Sequence, residues 1–285
     1  MIMKNYLRCI PADARLFCGV DQLEELQQVY GQKGILWPLP IDTRRFEPAV
    51  RNPRWGKLVS VGRLSPQKEY NLYMINVVKE LRKKGYPVTW SVYGVGEFEP
   101  EMRERIRQEG LQDAISMEGT APYRNFWQVL SDAYVFIGMG TAILEAALFR
   151  VPNLYAIPYD RVGITAGPVY RIPPGSNAPP LSCPPPLRVI DELERILRLS
   201  RAEYEKEEEM SYRHVRHHEL EASMAHFLRL VQSAGPIRRS KWLYLANYPR
   251  RIFHSVIKCC IPDKKVPHPT ATPYFSKRSA RAAAT

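Results

Sequence analysis

The sequence predicts an α/β fold in which a parallel sheet is covered by helices on both faces. Three observations carry this. Short apolar runs at 57–62, 88–93, 114–117, 133–137 and 153–157 have the length and composition of buried strands. Helical patterns at 71–84, 99–109, 124–131 and 141–150 separate them, and strands alternating with helices pack as a parallel sheet. The glycine-bearing loops 62–68, 94–97, 119–123 and 138–141 all follow strands, the end of such a sheet where ligands bind.

The remaining elements read as follows. Residues 12–18 resemble the last strand of a preceding unit. Val20–Tyr30 is a helix with Val20, Leu23, Leu26 and Val29 at helical spacing, stopped by Gly31 and Gly34. Ile35–Pro40 is extended, and 47–56 is a polar, proline-containing linker. Beyond the sheet, 158–187 is loop-like, with prolines at 173–174 and 184–186. Leu187–Leu199 is an amphipathic helix, and Arg201–Val231 a longer one that carries the acidic run Glu205–Glu209, expected as a solvated face. No internal repeat is present. The chain divides into 1–50 (the remnant of a preceding domain and a linker), 51–234 (the α/β unit with its C-terminal helices) and 235–285 (a basic tail whose end is expected to be disordered).

Bulk composition narrows the function. The 285 residues are 45% hydrophobic and 25% charged, and the net charge is +12. From Gly235 onward stand eleven Lys and Arg against Asp263 alone, so the tail holds +10 and the first 234 residues only +2. The body is nearly neutral, which argues against nucleic acid as a partner. Met1–Gly19 lacks the apolar core of a secretory signal, and no run of about 20 apolar residues exists to span a bilayer. Five cysteines, none in a C-x-x-C pair, argue for a reducing compartment and against a disulfide framework or zinc site. A cytoplasmic location is expected. The stretch Ile237–Lys258 interleaves basic residues with Trp242, Tyr244, Tyr248 and Phe253, which suits an anionic membrane surface, such as the inner face of the membrane, a nucleic acid, or docking on a preceding domain.

The most informative segment is 137–152. Ala133–Phe136 reads as a buried strand, Gly138-Met139-Gly140 as a turn, and the following helix is apolar on nearly every face, with Glu145 its one charge before Arg150. Burying an ion costs roughly several kcal/mol, so a lone carboxylate here needs partners. A strand, a glycine turn and a helix N-terminus make an anion site, because unpaired N–H groups and the positive end of the helix dipole point at the turn. Glu145, one turn in, suits hydroxyl groups attached to that anion; the plainer alternative is that it complements the dipole and reaches water. Upstream, Val61-Gly62-Arg63-Leu64-Ser65-Pro66-Gln67-Lys68 places two cations over a strand end, where a diphosphate could lie. Alone, such a pair would be read as solvated surface charge. Gly94-Val95-Gly96 lacks the third glycine of the dinucleotide fingerprint, and no full P-loop pattern is present.

Taken in order, these segments resemble the donor-binding half of a GT-B glycosyltransferase of the retaining family 4, over Ala14–Val231, with a Rossmann-like sheet. The interdomain connection resembles Gly34–Pro48, whose Asp42-Thr43-x-x-Phe46-x-Pro48 ending is specific. The resemblance implies that Arg63 and Lys68, with Gly62, grip the diphosphate of a nucleotide sugar. It implies that Gly94 and Gly96 lie near the nucleotide, that Met117 and Gly119 flank the base, that the amides of Gly140, Thr141 and Ala142 meet phosphate, and that Glu145 holds the ribose. The nucleotide sugar is then a substrate, no cofactor or metal is needed, and the acceptor is a glycan or lipid-linked.

Three departures stand out. Ile137 occupies the place of the first glutamate of the family's two-glutamate motif, which contacts the transferred sugar. Glu69 replaces the glycine after the phosphate-loop lysine and must point away or pair with a cation. Most of an N-terminal acceptor domain is expected before Met1, on the same chain or on a separate subunit. The expected function is transfer of a hexose with retention. The alternatives are a non-catalytic nucleotide-sugar-binding subunit or inactive fragment, or an epimerase of the same fold, whose acid and base residues are not evident. His214, His217 and His218 share one helix at spacings able to seat a metal, but no acid or cysteine completes the set, and a solvated helix face is expected.

Overall fold

The structure, a computed structural model, describes residues 15–46, 50–121, 126–176, 178–180 and 182–233. The segment 237–258, the start of the 12–18 strand and the Glu47-Pro48 end of the linker motif lie outside the described residues.

Five strands form one parallel sheet: β3 (Lys57–Val61), β4 (Thr89–Tyr93), β5 (Ile115–Gly119), β6 (Val135–Gly138) and β7 (Asn153–Tyr155), in the order β5-β4-β3-β6-β7. Earlier in the chain, β1 (Leu16–Phe17) and β2 (Ile35–Leu36) form a separate parallel pair around α1 (Val20–Tyr30). Helices α2 (Tyr70–Lys83), α3 (Glu99–Gln108), α4 (Phe126–Leu130) and α5 (Thr141–Leu148) follow β3 to β6 in turn. β3, β4, β6 and β7 are mostly buried because both faces of the sheet are covered there, while the edge strand β5 leaves Ser116 and Glu118 exposed. Leu58, Val59, Trp90, Val135, Phe136 and Leu154 are fully buried, and the Trp90 indole N–H donates to Ser60 Oγ at 3.0 Å.

The strand order reverses between β3 and β6, which pair directly with Val59 opposite Phe136. One crossover leaves β3 toward β4 and the other leaves β6 toward β7, so their loops diverge and a crevice opens at the carboxyl ends. Ile137 belongs to β6, pairs with Leu154, and is 1% exposed. On this strand it faces a small void lined also by Tyr70, Met74, Asp160, Thr165 and Val189. A second carboxylate there would be buried and would face the buried Asp160, which accounts for isoleucine at this position.

The region 158–187 is more ordered than its prolines suggest. β8 (Ile164–Thr165) pairs antiparallel with β9 (Leu187–Arg188), and Ala166 N–H donates to Tyr155 O at 3.0 Å, which carries the segment back onto the sheet. α6 (Val189–Leu197) follows. The expected 201–231 helix is two helices, α7 (Arg201–Val215) and α8 (Leu220–Ser233), separated by a 3-10 turn at Arg216–His218. The cause is the linker. Ile41 N–H donates to His218 O at 2.7 Å and Leu220 N–H to Ile41 O at 2.9 Å, so residue 41 takes a carbonyl and an amide that a continuous helix would use. The start of α7 is fixed by a Ser200–Glu203 capping box. Its body is held to the sheet by Tyr204, which stacks on Tyr134 at 4.3 Å and donates to Tyr134 O at 2.8 Å.

The same junction corrects the expectation for the histidines. They do not form a solvated face: His218 is fully buried with Nδ1 3.0 Å from Leu39 O, and the His217 and His218 rings lie 4.4 Å apart. Among the described residues no cluster of His, Cys, Asp and Glu could hold a metal ion. Burial pushes all three imidazoles below the usual value of 6.5, and neighbouring His218 and His214 help bring His217 down to about 4. The folded state therefore refuses protons that the unfolded chain accepts once pH falls below about 6.5. Stability is fully present above that pH and declines as pH approaches 4. Thermal unfolding followed from pH 7.5 to 4.5 should show the midpoint falling, and His217→Gln should flatten the decline; an unchanged slope in that variant would show that other groups cause it.

Candidate functional site

The crevice is built from backbone constraints first. β3 runs into Gly62, whose φ of +149° is open to glycine and strained for other residues. A Cβ there would lie 1.9 Å from Lys68 Nζ, so the ammonium group occupies the space a side chain would take. Lys68 closes a 3-10 turn, Pro66–Lys68, started by proline, and Asn71 Nδ2 holds its carbonyl at 2.9 Å.

The β3 and β4 loops are knitted together. Gly62 N–H donates to Tyr93 O at 2.8 Å, Leu64 N–H to Val95 O at 3.0 Å, and Gly94 N–H to Gly119 O at 2.6 Å. A Cβ at Gly94 would stand 2.0 Å from Gly62 O, and one at Gly96 would stand 2.2 Å from Leu64 O. These two glycines thus permit the close approach of two loops, a packing reason that holds whether or not they also border a nucleotide. Gly119 ends β5 with φ +71°, and Met117 is half-buried two residues earlier. Both lie two strands from β3, about 10 Å at the usual strand spacing.

Across the crevice, β6 runs into Gly138, Met139 and Gly140. Gly140 is the N-cap of α5, with φ +68° and ψ −143°. It has no side chain to cap the first turn, so the helix's electropositive end faces the crevice uncovered by a cap. Ile143, Leu144, Ala146, Ala147 and Leu148 bury the core side of α5. Thr141, Ala142 and Glu145 are exposed or half-buried, and Thr141 and Glu145, four residues apart, share one face. Continuing the β3–β6 register past Val59 and Phe136 brings Gly62 level with Met139. The phosphate-loop candidates and the α5 N-terminus are therefore neighbours, about one strand spacing apart. Glu145 stands one turn further along the same wall.

The electrostatics of the crevice are unbalanced. Lys68 is half-buried and Arg63 exposed, and among the described residues neither forms an ion pair. Burial, reinforced by the Arg63 charge, pulls the Lys68 ammonium below its ordinary value. Two cations that repel each other beside a helix N-terminus make a receptor for a polyvalent anion.

Residues 43–156, which hold all of these groups, match the family model for glycosyl transferases group 1. A stretch of 126 residues is 28% identical to WcaL of Escherichia coli K12, assigned as a glycosyltransferase of colanic acid biosynthesis; the match covers 39% of this chain and 31% of WcaL. The fold is shared with solved glycosyltransferases of the GT-B type. TarM of S. aureus, solved with UDP, superimposes with a TM-score of 0.58 at 16% identity over 81% of this chain and 46% of TarM. A glycosyltransferase from Rickettsia africae gives 0.59 at 13% identity over 82% of this chain and 68% of its own.

The sequence alone did not reveal a second layer behind the 62–68 loop. Glu69 pairs with Arg161 at 2.7 Å, which answers the question its position raised. Tyr159 N–H donates to Gln67 O at 3.1 Å. Asp160, almost fully buried, accepts from the amides of Val162, Gly163 and Ile164 at 3.0, 3.0 and 3.1 Å. The Asp-x-x-Gly spacing was a turn signal in the sequence, but its partner loop could not be read from it.

The two kinds of glycine should separate experimentally. Gly94→Ala forces Cβ into the Gly62 carbonyl and should cost about 1–3 kcal/mol of stability while loosening the phosphate loop. Gly140→Ala meets open space within 4 Å and should cost only its backbone strain, about 1–3 kcal/mol, with β3 and β4 undisturbed. Amide exchange in 57–64 should rise in the first variant and stay at the parent level in the second; equal protection in both would refute the close-approach role of Gly94.

Proposed function

We propose that this chain binds a nucleoside-diphosphate sugar in the crevice between β3 and β6 and serves as the donor-binding half of a glycosyltransferase. The observation that carries the reading is the repelling Arg63–Lys68 pair placed beside the uncapped N-terminus of α5. The diphosphate lies between them, the amides of 140–142 meet its oxygens, and Glu145 accepts from the ribose hydroxyls. The base lies toward Gly119 and Met117. WcaL and TarM, a glycosyltransferase by assignment and a UDP-bound relative in fold, are consistent with this use.

The reaction proposed is transfer of a hexose to a glycan or lipid-linked acceptor with retention. Its rate would come from stabilising the charge that grows on the departing diphosphate, and from holding the donor in line with the acceptor. No side chain of the crevice is placed as nucleophile or general base. The chain spans 31% of WcaL, and the acceptor side is proposed to come from a preceding domain or a separate subunit. No helix among the described residues is long and apolar enough to cross a membrane. A cytoplasmic position, peripheral at the inner face through 237–258, is part of the proposal. The second reading is a nucleotide-sugar-binding subunit without transfer activity. Ile137 favours it, because this buried strand position offers no carboxylate to the transferred sugar.

Charge-assisted hydrogen bonds are worth about 1.5–3 kcal/mol. Arg63→Ala should therefore weaken UDP binding roughly tenfold to a hundredfold by calorimetry. An unaltered dissociation constant would reject the phosphate role. Glycosyl transfer from UDP-, GDP- and ADP-sugars, with and without a supplied acceptor domain, separates the two readings: binding without transfer under every condition supports the subunit.

A further inference from the structure

The strap at 159–164 lies against the back of the phosphate loop. It is anchored at three points. Tyr159 N–H donates to Gln67 O, Arg161 pairs with Glu69, and Gly163 packs so closely on Tyr73 that a Cβ there would lie 1.8 Å from the ring. Asp160 holds the strap's own turn through its three amide bonds. Glu69 is the residue next to Lys68, and its carboxylate is only 14% exposed while the Arg161 side chain is 77% exposed. An arginine this open gains little from one ion pair as a source of stability. The carboxylate has more at stake. Glu69 follows the lysine of the proposed anion site in the chain, and it lies near enough to Asp160 that the Asp160 carboxyl, raised mainly by burial, is raised further.

We infer that Arg161 is a positioning residue for the anion site: it neutralises Glu69, so that the carboxylate beside Lys68 neither captures the lysine nor repels the bound diphosphate. This rests on the reading of the crevice as a diphosphate site. Glu69 thereby becomes tolerable at a position where a carboxylate would otherwise oppose the ligand. The pair also sets affinity: breaking it exposes a negative charge to the diphosphate, and removing the carboxylate makes Arg161 dispensable.

The test is a cycle of the full chain, Arg161→Ala, Glu69→Gln and the double variant, titrated with UDP by calorimetry alongside Arg63→Ala, with thermal melts to verify folding. Arg161→Ala should weaken UDP binding about threefold to tenfold, less at high salt, as expected for partly screened charges. Glu69→Gln should bind at least as tightly as the parent. The double variant should return to within about twofold of Glu69→Gln, since without the carboxylate the arginine has nothing to neutralise. If the double variant stays as weak as Arg161→Ala, the strap acts only as a tether and the inference is wrong. An unchanged affinity in Arg161→Ala also overturns it, provided that Arg63→Ala weakens binding. If Arg63→Ala is itself without effect, the diphosphate site fails and this inference falls with it.

Discussion

The pairing of β3 with β6 is the constraint on which the rest depends. These strands are separated by more than seventy residues yet adjacent in the sheet, with Val59 opposite Phe136. Their adjacency reverses the strand order and sends the two crossovers in opposite directions. It alone brings the Arg63–Lys68 loop beside the start of α5. The pairing is secured by apolar burial on both faces of the sheet rather than by any polar contact in the crevice. The site can therefore hold repelling cations and an uncapped helix end without endangering the fold.

Tightness around Gly62 shows how that tolerance is managed. The lysine ammonium fills the volume of an absent Cβ, and the neighbouring β4 loop fits only because Gly94 and Gly96 let carbonyl oxygens approach. Positions that look like nucleotide-binding glycines can thus have a purely steric requirement. In this chain the two explanations are separable, since Gly140 is required by its backbone angles and borders open space.

Much of this was legible in the sequence. The five strands and the helices between them announce themselves by apolar runs of the right length, and their observed limits differ from the expected ones by a few residues. Arg63, Lys68, Gly140 and Glu145 were drawn together by the family resemblance, and the fold carries the 62–68 loop and the start of α5 on neighbouring strand ends. What was not legible depended on distant partners. The split between α7 and α8 comes from Ile41, roughly 175 positions upstream. The burial of His218 comes from the same linker, through Leu39, while His214 is held at the backbone of Ile172. Arg161 looked like one more surface arginine in a proline-rich loop until Glu69 appeared beside it. Ile137 was visible as a departure from the family pattern, but its reason, a buried place in β6, required the fold.

The bonds between the linker and the C-terminal helices have a mechanical consequence. Residues 36–41 are tied to 218–227 by Ile41, by His218 and His226 at the carbonyls of Leu39 and Leu36, by Ser223 at Pro38 O, and by Trp37, whose ring packs tilted against Phe227 with centroids 5.0 Å apart. The β1–α1–β2 segment and α8 are thus riveted into one lever. Any swing of that segment against the five-stranded sheet would carry the last helix along, would bend both the chain after Ile41 and the short turn between α7 and α8, and would break the bond from Ser182 N–H to Glu24 Oε2.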